Sequence, residues 1–488
     1  MARSIMIQGT MSSAGKSFVC AGLCRLFARK GLRAAPFKSQ NMALNSFITK
    51  DGLEMGRAQA VQAEAAGVLP DVRMNPILLK PTTDMGSQVI VRGRPVEIMG
   101  AREYYDRKKE LIPLVRETYE DLASDYDLIV IEGAGSPAEI NLSENDFVNM
   151  GMARIANAPV ILVGDIDRGG VFAQLYGTIK LLAEDEQERI AGVIINKFRG
   201  DKDILTPGLS MLTDRIHKPV VGVLPYLDVH IEEEDSLSRE LERTVRGYGL
   251  DIAVIRLPRI SNYTDFQVFS IENNVSVRYV SSTRELRSPD LVILPGTKST
   301  IADLLWLRSS GLEARIQRLH SRGTPVMGIC GGFQMLGSFI DDPEGAEAER
   351  GARVQGLGLL PFSTTFLPDK KMTQTKGRAG YLVAGDLPAS LGKLEVEGYE
   401  IHMGRTFPAR AEPDRGGGTV WGTYLHGIFD SDAFREEFLR EIAAMRGISL
   451  DCDEEVSYAA YKEQQFDLLA DALEANLDMK LLNRIIFQ

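Results

Sequence analysis

The chain has 488 residues, 44% hydrophobic and 25% charged, and at roughly 100–200 residues per domain it is long enough for two or three separate cores. Its formal net charge of −11 argues against a nucleic-acid or membrane-surface role, because both partners are themselves negative, though an anionic small molecule could still meet a local basic cluster. Four cysteines without a C-x-x-C pair and five histidines make neither a disulfide framework nor a thiolate or histidine-rich metal centre.

The first element is the strand-like "SIMIQG", which runs through "GTMSSAGKS" into the helical "KSFVCAGLCRLFARKG". No charged, apolar and cleavable series opens the chain, and no run approaches the roughly eighteen apolar residues of a membrane helix, so a cytoplasmic protein is expected. A glycine-rich turn between a first strand and a first helix aims backbone N–H groups at a phosphate, with the positive end of the helix behind them. Its candidate nucleotide-binding residues are Gly9, Thr10, Ser13, Ala14, Gly15, Lys16 and Ser17. Gly15 allows close backbone approach, Lys16 neutralises β- and γ-phosphates, and Ser17 offers a hydroxyl to magnesium. In the common form of this loop a glycine stands where Thr10 is; here it comes one place early, at Gly9.

The following runs, "RAAPFK", "QVIVRG", "DLIVIEG", "PVILVGD", "IAGVIINK" and "PVVGVLP", include several without polar alternation, as strands buried on both faces should be. With "MARIANA" as a further crossover helix, they predict a mostly parallel, doubly wound α/β sheet over residues 1–228. Glu132 closes the strand in "DLIVIEGAGS", at the sheet edge where such folds gather ligands, and would complete a magnesium site with Ser17. Asn196 in "IINKFRG" has the same setting and suits the reading of a purine base. The acidic stretch beginning "LDVHIEEEDSLSREL" then breaks the pattern and is expected to be a linker or solvated helix over 229–249.

A second α/β series, "DIAVIRLP", "VSVRYV", "DLVILPG" and "PVMGIC", starts a domain assigned to 250–438. "PVMGICGGFQMLG" has the form of a nucleophile elbow, with Gly328, Cys330 and Gly332 as G-x-C-x-G. Glycines on both sides let a nucleophile occupy a strained backbone and let a substrate come close. The N–H of Gly331 follows the nucleophile and is a candidate oxyanion donor; Gly296 in "LPGTKS" is a second. A thiol of ordinary pKa is only a few per cent thiolate at neutral pH and needs a base. His426, in "GTVWGTYLHGIFD", is the best placed, and His402, in "YEIHMG", competes with it. Cys20 and Cys24, four apart on the first helix, read as core, and Cys452 has no supporting context. Residues 439–488 read as a helical extension without a motif.

Taken together, these segments carry a resemblance. "GICGGFQMLG" and "GTYLHGIFD" resemble a class I glutamine amidotransferase domain, which is flavodoxin-like. "GTMSSAGKS", with its Gly-Thr start, resembles the dethiobiotin-synthetase-like branch of P-loop NTPase-like proteins. Their order, with "SQNMALNS", "EGAGSPAEINL", "DIDRGGVF", "NKFRGD", "SNYTDF" and "GYEIHMG", resembles the cobyric acid synthase family of cobalamin biosynthesis. The resemblance implies an ATP-, magnesium- and glutamine-dependent ligase. It would amidate the b, d, e and g carboxylates of adenosylcobyrinic acid a,c-diamide, a corrinoid, through acyl phosphates. Cys330 would attack glutamine, Gly331 and Gly296 would hold the oxyanion, and His426 would move the protons as ammonia leaves for the ligase site.

Two departures bear on what carries over. Class I domains usually have a glutamate two residues after the histidine, but Ile428 stands there, leaving a Cys–His dyad or recruitment of Glu400 or Asp430. The sister family that makes the a,c-diamide has an acidic motif after the second strand; this chain has Asn41 and Asn45, which favours the later step and leaves cobyrinic acid a,c-diamide synthase as the alternative. A partition-type ATPase with an inactive amidotransferase domain is the rival from another class, disfavoured by the intact Cys330 elbow. Lys38, Arg92, Arg94 and Arg168 lie near motif loops and fit either corrinoid carboxylates or plain solvated charge.

Overall fold

A computed structural model describes residues 2–83, 86–232, 249–408, 418–450 and 457–488. The proposed linker therefore falls largely outside the described residues, as does Cys452 entirely. The chain divides into two compact units. One comprises 1–42, 55–232 and 462–488; the other comprises 43–54 and 233–461.

The first unit is built on a six-stranded sheet in the order Val220–Pro225, Ile190–Phe198, Val160–Asp165, Arg3–Gly9, Leu128–Glu132, Ala34–Phe37, with every pair parallel. Its central strands are buried on both faces, so Ile5, Met6 and Ile7 are all inaccessible to solvent; this is why they read as continuous apolar runs. Arg3–Gly9 lies between Val160–Asp165 and Leu128–Glu132. The turn after Gly9 therefore opens at the middle of the carboxyl edge, where the strand order reverses and such folds bind ligands.

"QVIVRG" departs from the expected parallel series. Gly86–Val91 pairs antiparallel with Ile77–Thr83 and with Arg94–Gly100, in a separate four-stranded sheet that also includes Gln40–Met42. The reason is local: Arg92 and Gly93 both have positive φ, 45° and 78°, the backbone of a two-residue hairpin turn. Such a turn returns the chain at once, whereas a parallel neighbour needs a crossover of about a dozen residues.

The C-terminal segment, which carried no motif, completes this unit's core. Helix Tyr458–Asn476 packs on helix Lys16–Arg29 so closely that a Cβ at Gly22 would lie 2.7 Å from Leu473 Cδ2. Arg25, Arg29 and Lys30 meet Asp467, Asp471 and Glu474 at 2.8, 2.7 and 2.6 Å. These partly exposed pairs contribute a few tenths of a kcal/mol each; the buried Phe466, Leu469 and Leu473 dominate. Leu473→Ala is expected to destabilise the first unit by about 2–5 kcal/mol, read as a lower midpoint in urea unfolding of the whole chain.

The second unit has a six-stranded sheet in the order Val275–Val280, Leu250–Ile255, Leu291–Leu294, Val326–Ile329, Val420–Thr423, Val383–Ala384. Its first five strands are parallel and only the last pair is antiparallel. All four strands of the expected second series are present. A five-stranded sheet lies beside it, dominated by the ribbon of Phe362–Arg378 and Glu395–Pro408. That ribbon was not legible, since its solvated residues and internal Pro368 and Asp369 blur the period of two.

Candidate active sites

The glycine-rich turn of the first unit adopts the backbone that its sequence calls for. Ser13 and Gly15 have φ of 58° and 100°, directing successive N–H groups inward as an anion-binding concavity. Thr10 N donates to Val163 O at 2.9 Å, and Thr10 Oγ1 donates to Gln174 Oε1 at 3.1 Å. Lys16 Nζ bends back over the turn to Met11 O and Gly135 O, at 3.2 and 3.1 Å.

Ser17 Oγ donates to Glu132 Oε1 at 2.8 Å, so the two expected metal-binding residues are adjacent. Glu132 is buried; Lys38 Nζ lies 3.0 Å from the same oxygen, and Gln62 Nε2 donates to Oε2 at 2.5 Å. Burial pushes the Glu132 carboxyl up, but Lys38 and the bonds from Gln62 and Ser17 outweigh it and hold the pKa below its usual value. Lys38 is thus not a solvated charge, whereas Arg94 and Arg168 are exposed and Arg92 pairs with Glu117. Gln62 Oε1 is buried without a partner among the described residues. That orphan oxygen, the Ser17 hydroxyl and the Glu132 carboxylate are donors of the kind magnesium takes. With the N–H concavity above them, the residues fit a nucleotide phosphate and its metal.

Asn196, the expected base reader, stands at the end of strand Ile190–Phe198, beside the loop. Its Nδ2 donates to Ala14 O at 3.0 Å, and its Oδ1 accepts from Lys197 N at 2.9 Å. A Cβ at Gly15 would sit 2.1 Å from that Nδ2. These bonds use one N–H and one oxygen lone pair of the carboxamide, which has two of each, and they brace the loop.

In the second unit Cys330 stands between strand Val326–Ile329 and helix Gly331–Leu336, with φ 51° and ψ −108°. A non-glycine residue in such a region costs of order 1–3 kcal/mol and persists only where its surroundings enforce it. Here Cys330 N donates to Thr423 O at 2.8 Å and Gly332 N to Pro295 O at 3.1 Å. The glycines are sterically required: a Cβ at Gly328 would lie 2.6 Å from Phe333 N, and one at Gly332 1.9 Å from Leu294 O. The two expected oxyanion glycines both border this site. A Cβ at Gly296 would approach His426 Cε1 to 3.0 Å, and one at Gly331 would approach Thr297 Cγ2 to 2.7 Å.

His426 is buried, within hydrogen-bonding reach of Cys330. Its Nδ1 is 2.7 Å from Asp265 Oδ2, and Asp265 Oδ1 accepts from Gly427 N at 3.1 Å. The acid beside the histidine is therefore Asp265, from "SNYTDF", in place of the bare dyad, Glu400 or Asp430. Burial alone would push the imidazole pKa down; the Asp265 carboxylate and the Cys330 sulfur instead raise it to about 10. His402 is otherwise occupied: Nε2 lies 3.3 Å from Glu400 Oε2 and Nδ1 3.1 Å from Gly404 O. Glu400 also accepts from Lys371 and Thr375, at 2.6 and 3.0 Å. Cys20 and Cys24 are core residues whose thiols burial pushes up.

Comparison with known proteins adds to this geometry. Residues 5–237 match the family described as the CobQ/CobB/MinD/ParA nucleotide binding domain. Residues 251–434 match the CobB/CobQ-like glutamine amidotransferase domain. Over its full length the chain is 55% identical to "Cobyric acid synthase" of Lachnoclostridium phytofermentans, covering 99% of that protein. It is 52% identical to the protein of that name from Ruminiclostridium cellulolyticum and 49% identical to that from Citrobacter koseri, again over the full chain and covering 97% and 99% of them.

Proposed function

The chain belongs to the cobyric acid synthase family, and from that premise we propose how its own residues carry out the reaction. The protein is a glutamine-hydrolysing carbon–nitrogen ligase of cobalamin biosynthesis, which uses ATP to amidate the b, d, e and g carboxylates of adenosylcobyrinic acid a,c-diamide and form adenosylcobyric acid. The observation that carries the assignment of roles is His426 between Asp265 and Cys330, on one chain with a phosphate loop whose Ser17 meets Glu132.

Cys330 Sγ attacks the side-chain carbonyl carbon of glutamine, and the oxygen that gains charge faces the N–H groups of Gly331 and Gly296. His426, held by Asp265, delivers a proton to the departing ammonia. It then takes one from the water that hydrolyses the thioester. At the other site the Lys16 ammonium and the loop N–H groups hold the nucleotide's phosphates. Ser17 and Glu132 would hold magnesium, and Lys38 and Gln62 keep Glu132 ionised and oriented. When bound, ATP supplies the phosphoryl group that turns an unreactive carboxylate into an acyl phosphate open to ammonia. The reactants are small polar metabolites, and the proposed place of action is the cytoplasm. Among the described residues no helix is long and apolar enough to cross a membrane.

Mass spectrometry of the corrinoid after incubation with ATP and glutamine tests the reading. Four successive amidations of the a,c-diamide are expected. Amidation of free cobyrinic acid that stops at the a,c-diamide would favour the sister activity. In the same assay Lys16→Ala should lower amidation by about 10²–10³, the typical effect of removing one stabilising group, with glutamine and with ammonia alike.

A further inference from the structure

The second unit, otherwise built from residues beyond 232, takes in one short segment from far upstream, residues 43–54. We propose that this segment is a positioning element of the glutaminase, through which events in the ligase half of the sequence set the rate at which Cys330 and His426 act. The inference rests on the function proposed above.

The contacts of the segment converge on the neighbours of all three reacting groups. Ser46 is fully buried, and both of its backbone groups are clasped. Its N–H donates to Asn262 Oδ1 at 3.1 Å, and its carbonyl accepts from Tyr399 Oη at 3.0 Å. Asn262 lies three residues before Asp265, has φ of 52°, and its own carbonyl accepts from Asp265 N at 3.1 Å. The Tyr399 ring stacks on the His426 imidazole, with centroids 5.4 Å apart and planes 24° from parallel. Ile48 forms a buried cluster with Tyr399 and Ile401, and Ile401 O accepts from Cys330 Sγ at 3.4 Å. Phe47 meets the Tyr399 ring edge-on at 5.4 Å, and Gln374 donates to the Ile48 carbonyl. The far end is pinned by a buried ion pair, Glu54 with Lys370 at 2.5 Å.

Three residues, Ser46, Phe47 and Ile48, thus support the loop that leads into the aspartate, the ring over the histidine and the carbonyl beside the cysteine. The segment is continuous at both ends with the first unit, which resumes at Met55. A shift of either end would be transmitted to Asn262 and Tyr399, and a general acid–base pair tolerates misplacement of the order of an ångström poorly. Hydrolysis of glutamine with no acceptor waiting wastes it, so a tether from the ligase half is the kind of device that would link the two rates.

The test uses the full chain with Tyr399→Phe, which removes only the hydroxyl that holds Ser46, and Ile48→Ala. Glutaminase kcat and KM are measured with and without ATP and the corrinoid, and ammonia-dependent amidation is measured in parallel. Couplings between two sites are typically worth about 5–150-fold in affinity, and the effect on kcat is sought on that scale. Both variants are expected to lose most of the rise in glutaminase kcat on adding ATP and corrinoid, about tenfold or more, with KM for glutamine within about twofold and ammonia-dependent amidation unchanged. Wild-type stimulation in both variants, or a wild-type enzyme with no stimulation, would overturn the proposal. Absence of ammonia-dependent amidation in the wild type would instead overturn the function on which it rests.

Discussion

Cys330→Ala is expected to lower glutamine-dependent amidation by about 10⁶, the scale on which removal of a covalent nucleophile acts, while amidation with added ammonia continues at the wild-type rate. No other thiol among the described residues can substitute, because Cys20 and Cys24 are buried in the first unit's core with their thiols pushed up. Nor should the substitution unfold the elbow. The unusual backbone at residue 330 is enforced by Cys330 N on Thr423 O, by Gly332 N on Pro295 O and by the packing of Gly328, none of which involves the sulfur. Alanine also occupies less space than cysteine at a site already 7% exposed, so the change leaves a small void instead of a clash. The measurement is product formation with glutamine and, separately, with an ammonium salt at mildly alkaline pH. Loss of both activities would contradict the separation of ammonia release from carboxylate activation.

What could be read in the sequence is what short-range physics determines. The phosphate turn and the elbow each need a strand, a tight turn and a helix within about twenty residues, and the glycines at 15, 328 and 332 are where a Cβ meets another atom within 2.6 Å. The parallel strands were visible because burial on both faces removes polar alternation. Asp265 was missed because the acid that serves His426 stands 161 positions away in the chain, while the expected place two residues on is Ile428. A signal was available: an aspartate within "YTDFQVF", whose Tyr263, Phe266, Val268 and Phe269 are all core. An acid embedded in an apolar run must have a partner, though only the fold says which. Asn45 marked the family, but the unit that residues 43–54 join was hidden for the same reason, as was the one that residues 462–488 join. Each is an ordinary segment whose meaning lies in the unit it joins.

Asp265→Asn is expected to reduce glutaminase kcat by about 10⁴ with little change in the binding of glutamine, as loss of the orienting carboxylate does in nucleophile–histidine–aspartate triads on unrelated folds. A carboxylate accepts the Nδ1 proton of His426 and leaves Nε2 free to exchange a proton with sulfur and substrate; an asparagine that donates to Nδ1 forces the other tautomer. The substitution also changes the pH dependence of stability in a defined direction. The His426 pKa rises from 6.5 to about 10 against the opposing effect of burial, so folding favours the imidazolium. That contribution is present in full below 6.5 and is lost as pH rises through about 10. Without the Asp265 charge the largest influence opposing burial is gone, so folding favours the imidazolium less and the contribution shrinks. The difference in unfolding free energy between wild type and variant should therefore be greatest near pH 6 and shrink steadily towards pH 10. Denaturant titrations at intervals across that range measure it, and a difference that grew with pH, or a variant with wild-type kcat, would remove Asp265 from the reacting set.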